Sequence, residues 1–224
     1  MRLYFHYCPS GFSNSYVLGT DFFSADEEQW ELPIDNSPSR EAAPLREAII
    51  IDPGIMDENM LRLIENNNYT LKGILITHDH PHHVQGLTTI MRIYNTEIYA
   101  INPSVREHHT ILVRDGEILS IGPFRVEVIS IPGHSADSAV FKIDRLLFTG
   151  DVLSAGLVGS TASSYATATQ ITALRSKILS LPGDYTVLPG HGPPSSLEAE
   201  RRFNLHINSL EKEKNRRPAF RVEL

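Results

Sequence analysis

The stretch Lys72-Gly73-Ile74-Leu75-Ile76-Thr77-His78-Asp79-His80-Pro81-His82-His83 places four histidines directly behind a short, continuously apolar run. An apolar run of this length, without alternation, fits a strand covered on both faces. The histidines then lie just past the strand end, on a loop above the edge of a sheet. The same arrangement recurs three times. Pro132-Gly133-His134-Ser135, Thr149-Gly150-Asp151 and Pro189-Gly190-His191-Gly192 each follow an apolar run. Six of the ten histidines fall in these motifs, so imidazoles are gathered at strand ends and not scattered over the surface. His78 and His80 are two apart on extended chain and point the same way. Pro81 bends the chain before His82 and His83, so these neighbours can address different positions. Crowded imidazoles with a carboxylate suit zinc or iron, and such an ion generates hydroxide from water near neutral pH.

Around these motifs the pattern alternates between short strands and helices. Strands are predicted at 16–18, 48–51, 72–77 and 97–101, with Asp52-Pro53-Gly54 as a turn. Apolar residues at helical spacing predict helices over 56–66 and 84–94. From 113 to 148 the period shortens to strands at 117–121, 124–131, 139–143 and 146–148, with Asp115-Gly116 and Ile143-Asp144-Arg145 as hairpin-like turns. A helix over 168–181, a strand over 185–188 and a helix over 196–214 follow. This order fits an α+β fold of two packed sheets flanked by helices, in one domain spanning 1–224. Residues 21–47 hold eight acidic residues against Arg40 and Arg46, broken by Pro33, Pro38 and Pro44. They read as a solvated surface insertion.

The chain has 224 residues, 41% of them hydrophobic, enough for one sizeable core. Its net charge of −7, without a basic stripe, argues weakly against nucleic acid as a partner. The expected partner, a small-molecule substrate, comes from the strand-end histidines and the chemistry they suit. No apolar run approaches the ~18 residues of a membrane span. The N-terminus is too short and polar for a signal peptide. Cys8 is the only cysteine, so no intrachain disulfide forms and a cytoplasmic setting is expected. In its apolar segment Cys8 reads as a buried structural thiol.

In order and spacing, the motifs resemble the metallo-β-lactamase superfamily, whose H-x-H-x-D-H signature precedes a His, an Asp and a second His on separate loops. The resemblance runs from about Tyr16 to the end of the chain. Pro132-Gly133-His134-Ser135, Phe148-Thr149-Gly150-Asp151 and Pro189-Gly190-His191-Gly192-Pro193, with Glu200-Arg201-Arg202-Phe203-Asn204, resemble the small glyoxalase II-like hydrolases. What the resemblance implies is an αββα sandwich with a metal groove at its edge. By it, His78, His80 and His134 hold one ion, His83 and His191 with the residue at position 82 hold a second, and Asp151 bridges both. Two zinc ions would then share a hydroxide that attacks a thioester, lactone or related ester. Asp151 and position 82, which orients the water, are the residues nearest the chemistry.

The sequence departs from that pattern at His82, which stands where the family has aspartate. A neutral imidazole removes one unit of negative charge, so the second ion should bind more weakly. Nitrogen-rich ligation favours zinc or iron over manganese or magnesium. The outcomes are a two-ion site with His82 as ligand, a one-ion site, or loss of hydrolysis. Asp79 occupies a variable position expected to point away from the metals. Full-length glyoxalase II enzymes carry a C-terminal domain that recognises glutathione. No such domain is expected after the helix 196–214, so glutathione specificity is not expected. The loop 152–168 reads as a pocket wall, and Gly159-Ser160-Thr161-Ala162 replaces the Gly-Arg-Thr-Asp run of the small relatives. His108 and His109 read as surface residues, and His6 and His206 as histidines without companions. Two other readings stand beside hydrolysis. One is a mononuclear iron oxidoreductase resembling persulfide dioxygenases, built on His78, His134 and Asp151. The other is a non-catalytic metal-binding module with 21–47 as its contact surface.

Overall fold

A computed structural model describes residues 1–20 and 46–208. Most of the acidic insertion and the chain beyond 208 lie outside the described residues. The first half supplies β1 (Arg2–Cys8), β2 (Ser13–Gly19), β3 (Arg46–Ile51), β4 (Tyr69–Leu75) and β5 (Ile98–Ala100), a small ribbon of β6 (Ser104–Val105) and β7 (His108–His109), and β8 (Ile111–Leu112). The second half supplies β9 (Ile118–Ile121), β10 (Phe124–Ser130), β11 (Ala139–Ile143) and β12 (Leu146–Gly150), the hairpin β13 (Leu153–Ser154) and β14 (Leu157–Val158), then β15 (Thr186–Pro189) and β16 (Ser195–Ser196). Two six-stranded sheets result, ordered β1-β2-β3-β4-β5-β8 and β16-β15-β12-β11-β10-β9.

The apolar strands are explained by what covers each face. Side chains alternate between faces, so Leu18, Ile49, Ile51 and Leu75 meet Phe124, Val126, Phe141 and Phe148 between the sheets. Val17, Ile50, Ile74 and Ile76 face outward to Met60, Ile64, Leu87 and Ile90, which belong to or flank helices α1 (Glu58–Asn66), α2 (Pro81–Val84) and α3 (Leu87–Ile93). On the far side Val140, Leu147 and Val187 are covered by α4 (Ser164–Ala173), its π-helical continuation Leu174–Ile178, and α5 (Leu197–Phe203). This is the helix–sheet–sheet–helix sandwich that the sequence suggests. Among the described residues no helix is long and apolar enough to cross a membrane.

Several boundaries differ from the sequence reading. β1 is absent from it. The helix placed at 84–94 is two, because Gly86 turns its N–H to the Pro53 carbonyl (2.8 Å) and breaks the run. The helix placed at 168–181 begins earlier, where Ser163 accepts a hydrogen bond from the Ala166 N–H and caps it. The helix placed at 196–214 is interrupted at Asn204, whose backbone is extended; residues 205–208 are helical again, and 209–214 lie outside the described residues.

Parallel pairing positions the site. β3 with β4, and β12 with β15, run parallel, so the loops after all four strands leave from one edge of the sandwich. The sheets are tied together at that edge. The Ala139 N–H donates to the Thr77 carbonyl (2.8 Å), the Asn14 N–H to Gly190 (2.7 Å), and the Tyr16 hydroxyl to Pro189 (2.8 Å). Phe141, fully buried between the sheets, tests this packing: Phe141→Ala should cost about 3–5 kcal/mol in urea unfolding, with the slope of the transition unchanged.

Candidate metal centre

The strand-end loops bring two groups of donors together. His78, His80, His134 and Asp151 form one, and His83, Asp151 and His191 the other. In the first, His80 Nδ1 lies 2.9 Å from His78 Nε2 and 3.1 Å from His134 Nε2. Asp151 Oδ2 stands 3.8 Å and 3.6 Å from those two Nε2 atoms. In the second, the same Oδ2 lies 3.4 Å from His83 Nε2, and Asp151 Oδ1 lies 2.7 Å from His191 Nδ1. One carboxylate therefore serves both groups.

The outward nitrogens fix which atoms face in. Thr77 donates its hydroxyl hydrogen to Asp52 Oδ2 (2.6 Å), so its oxygen is left to accept from His78 Nδ1–H (3.1 Å). His134 Nδ1–H donates to the Ser160 carbonyl (2.8 Å). His83 Nδ1–H donates to Asp52 Oδ2 (3.1 Å), and His191 Nε2–H to the Gly11 carbonyl (3.1 Å). With those protons outside, His78 Nε2, His134 Nε2, His83 Nε2 and His191 Nδ1 face inward, where each can offer a lone pair to a cation, at the second group by giving up a proton. Such partners orient metal-binding imidazoles. His83 Nε2 is buried and makes no hydrogen bond. His80 Nδ1 can donate to only one of the two lone pairs beside it. An orphaned buried nitrogen and nitrogens ~3 Å apart suit a cation bound at the usual 2.0–2.1 Å from nitrogen, so the residues fit a metal.

The electrostatics agree. Burial, reinforced by the charge of His83, pushes the His78 pKa down to about 3, so its lone pair is available. Burial and His134 likewise lower that of His80. Burial would lower His83 too, but its contacts with Asp151 and Asp52 outweigh it and hold the imidazole at about 10. Asp151 raises His191. Burial opposes ionisation of Asp151, yet His191 and His83 hold it well below the usual carboxylate range. The field at the second group thus favours positive charge, supplied by protons when no metal is bound.

His82, expected from the sequence to ligate the second ion, joins neither group. On α2, adjacent side chains project in different directions. His83 is turned inward and buried, while His82 is exposed against Gly11, its ring centroid 6.3 Å from that of His191. Asp79 is exposed and outside both groups, as expected, and its N–H donates to Asp137 Oδ2 (2.9 Å). Gly190 is required by proximity: a Cβ there would overlap the His83 ring. Cys8 is buried. His6 is not alone, lying 3.3 Å from Asp57.

Asp52 is the residue that sequence reasoning missed. Buried at the end of β3, it takes the Thr77 N–H (2.7 Å) and the Thr77 hydroxyl, and anchors His83 directly. Its signal was an aspartate closing an apolar strand, read only as a turn. Its φ of +50° is uncommon for a non-glycine residue.

With this geometry in view, comparison with known proteins is decisive. Residues 46–191 match the metallo-beta-lactamase superfamily. The chain belongs to that family. It is 30% identical over 190 residues to the hydroxyacylglutathione hydrolase GloC of Haemophilus influenzae, covering 73% of this chain and 89% of that protein. It is 34% identical over 147 residues to a hydroxyacylglutathione hydrolase of Francisella tularensis, covering 64% of this chain but only 58% of the relative's length. The crystal structure of BLEG-1 B3 metallo-beta-lactamase superposes with a TM-score of 0.74 at 23% identity, over 92% of this chain and 99% of that one, a likeness of fold. The protein is thus a glyoxalase II-like member of the superfamily and a hydrolase.

Two outcomes follow from the outer hydrogen bonds and charges. Asp52→Asn should weaken metal binding about 10–100-fold in a competitive chelator titration. Because His83 and His191 bind protons more readily than His78 and His80, metal at the second group should be lost first as pH falls from about 8 to 6. Metal content per chain across that range checks this.

Proposed function

We propose that the protein cleaves a small thioester, lactone or related ester in a metal-dependent hydrolysis. The observation that carries this reading is the sharing of Asp151 by two donor groups beside a cavity of about 250 Å³ that His134 and His191 also line. His78, His80, His134 and Asp151 would hold one ion, and His83, Asp151 and His191 a second. Zinc is the proposed metal, since imidazole-rich sets suit it, and iron meets the same preference. When bound, the metal would supply Lewis acidity toward a carbonyl oxygen and a nucleophile from water near neutral pH.

The chain's own residues do the rest. Asp52 and Ser160 hold His78, His83 and His134 in orientation, and Gly11 holds His191. Leu157 and Val158 form an apolar wall of the cavity, screening one side of the reacting carbonyl from water. Both relatives are named for hydroxyacylglutathione, so a glutathione thioester is the first probe. The Haemophilus relative is matched over most of its length, which removes chain length as a reason against that probe. A cytoplasmic setting belongs to the same proposal, on the ground that the single cysteine is a buried free thiol.

One observation favours a second reading. With His82 outside, the second group has three residues against four in the first, so the first ion binds more tightly and a single-iron oxidoreductase becomes the alternative. Elemental analysis of the purified protein should give zinc, with thioester turnover abolished by chelator and restored by metal. A single iron, with oxygen consumed in the presence of a thiol persulfide, would instead establish the alternative. In the hydrolase, His82→Asp should raise occupancy of the second site.

A further inference from the structure

Glu200 lies 1% exposed and Asn204 fully buried, and neither belongs to the two donor groups. The Glu200 carboxylate accepts four hydrogen bonds. They come from the Ser195 hydroxyl (2.6 Å), the Asn204 side-chain amide (2.7 Å) and the Gly156 N–H, which is shared between both oxygens at 3.1 Å. Gly156 sits at the turn of the β13–β14 hairpin with φ +76°. Its carbonyl accepts from the Leu205 N–H (3.0 Å). Two residues on, the Val158 N–H donates to His206 Nδ1 (3.1 Å), so His206 has the companion that the sequence did not suggest. Glu200 on α5, with Leu205 and His206 just beyond the helix, therefore grips the hairpin at three points. That hairpin carries Leu157 and Val158 into the cavity beside His134, Asp151 and His191. It continues into Gly159, where a Cβ would overlap the Asp151 carbonyl, and Ser160, which holds His134.

We infer that Glu200 is a positioning residue for substrate recognition: its carboxylate locks the hairpin so that Leu157 and Val158 form a fixed apolar wall for the acyl part of the substrate. A carboxylate suits this place because all of its partners are donors. A glutamine turns one acceptor into a donor facing N–H or O–H groups.

The kinetic arm of the test rests on the proposed thioester hydrolysis, and the exchange arm does not. The zinc-loaded 224-residue protein, Glu200→Gln, Leu157→Ala and the double variant are compared. The assays are amide hydrogen exchange and turnover of acetyl and longer straight-chain acyl thioesters. Glu200→Gln should speed exchange over 153–160 by roughly tenfold or more, leaving the first sheet and the metal content unchanged. KM for the longer acyl thioester should rise roughly tenfold, with kcat within about twofold and little effect on the acetyl probe. The two substitutions should be non-additive in KM, since both act through one wall. Unchanged exchange over 153–160, full additivity with Leu157→Ala, or equal losses for both probes would overturn the inference. Should Glu200→Gln fail to fold, Ser195→Ala removes a single donor and is read the same way. If wild type turns over no thioester, the functional reading fails while exchange still decides the role of Glu200.

Discussion

The Asp151 carboxylate is the constraint on which this structure turns. Among the described residues it is the one anion facing imidazoles from three other loops, at 2.7 Å to His191 and between 3.4 and 3.8 Å to His83, His134 and His78. Without it, the inward lone pairs of those rings would repel one another in a poorly solvated site. With it, the same crowding becomes a place for positive charge. The parallel pairing of β12 with β15, and of β3 with β4, gathers the loops. The cross-sheet hydrogen bonds from Asn14, Tyr16 and Ala139 keep the two halves in register at that edge.

Behind this anion stands a second, Asp52, fully inside the protein. It never reaches the inner faces of the rings, yet it orients one histidine of each donor group, His83 directly and His78 through the Thr77 hydroxyl. The two groups are therefore coupled twice, through the carboxylate they share and through the one behind them. Substitutions at Asp52 should disturb both together, whereas those at Ser160 or Gly11 bear on one ring each.

The site is asymmetric. Four residues converge in the first group and three in the second, because His82 lies against Gly11 instead of turning inward. The protein lacks the negative charge its family places there, and the remaining field around His83 and His191 rests on Asp151 and Asp52 alone. The groove beside them is equally dependent on distant residues, since its wall is held by the buried Glu200 of α5 and by Leu205 and His206 just beyond the helix.

The sequence alone determined much of this. Apolar runs ending in His-rich, Gly-His or Gly-Asp motifs revealed the layered sheets and the six residues of the two donor groups, because strand periodicity and strand-end placement are local properties. The apolar strands β3 and β4 were legible for the same reason, as were the burial of Cys8 and the outward position of Asp79. Only the tertiary structure decided that His82 stands apart, since two adjacent residues on a short helix differ in direction and not in composition. It alone showed that Asp52 is an anchor, that Gly86 splits a helix, and that Glu200 holds the hairpin. Each of those roles is a contact between segments distant along the chain, set by how the sheets and helices pack, and no local pattern encodes it.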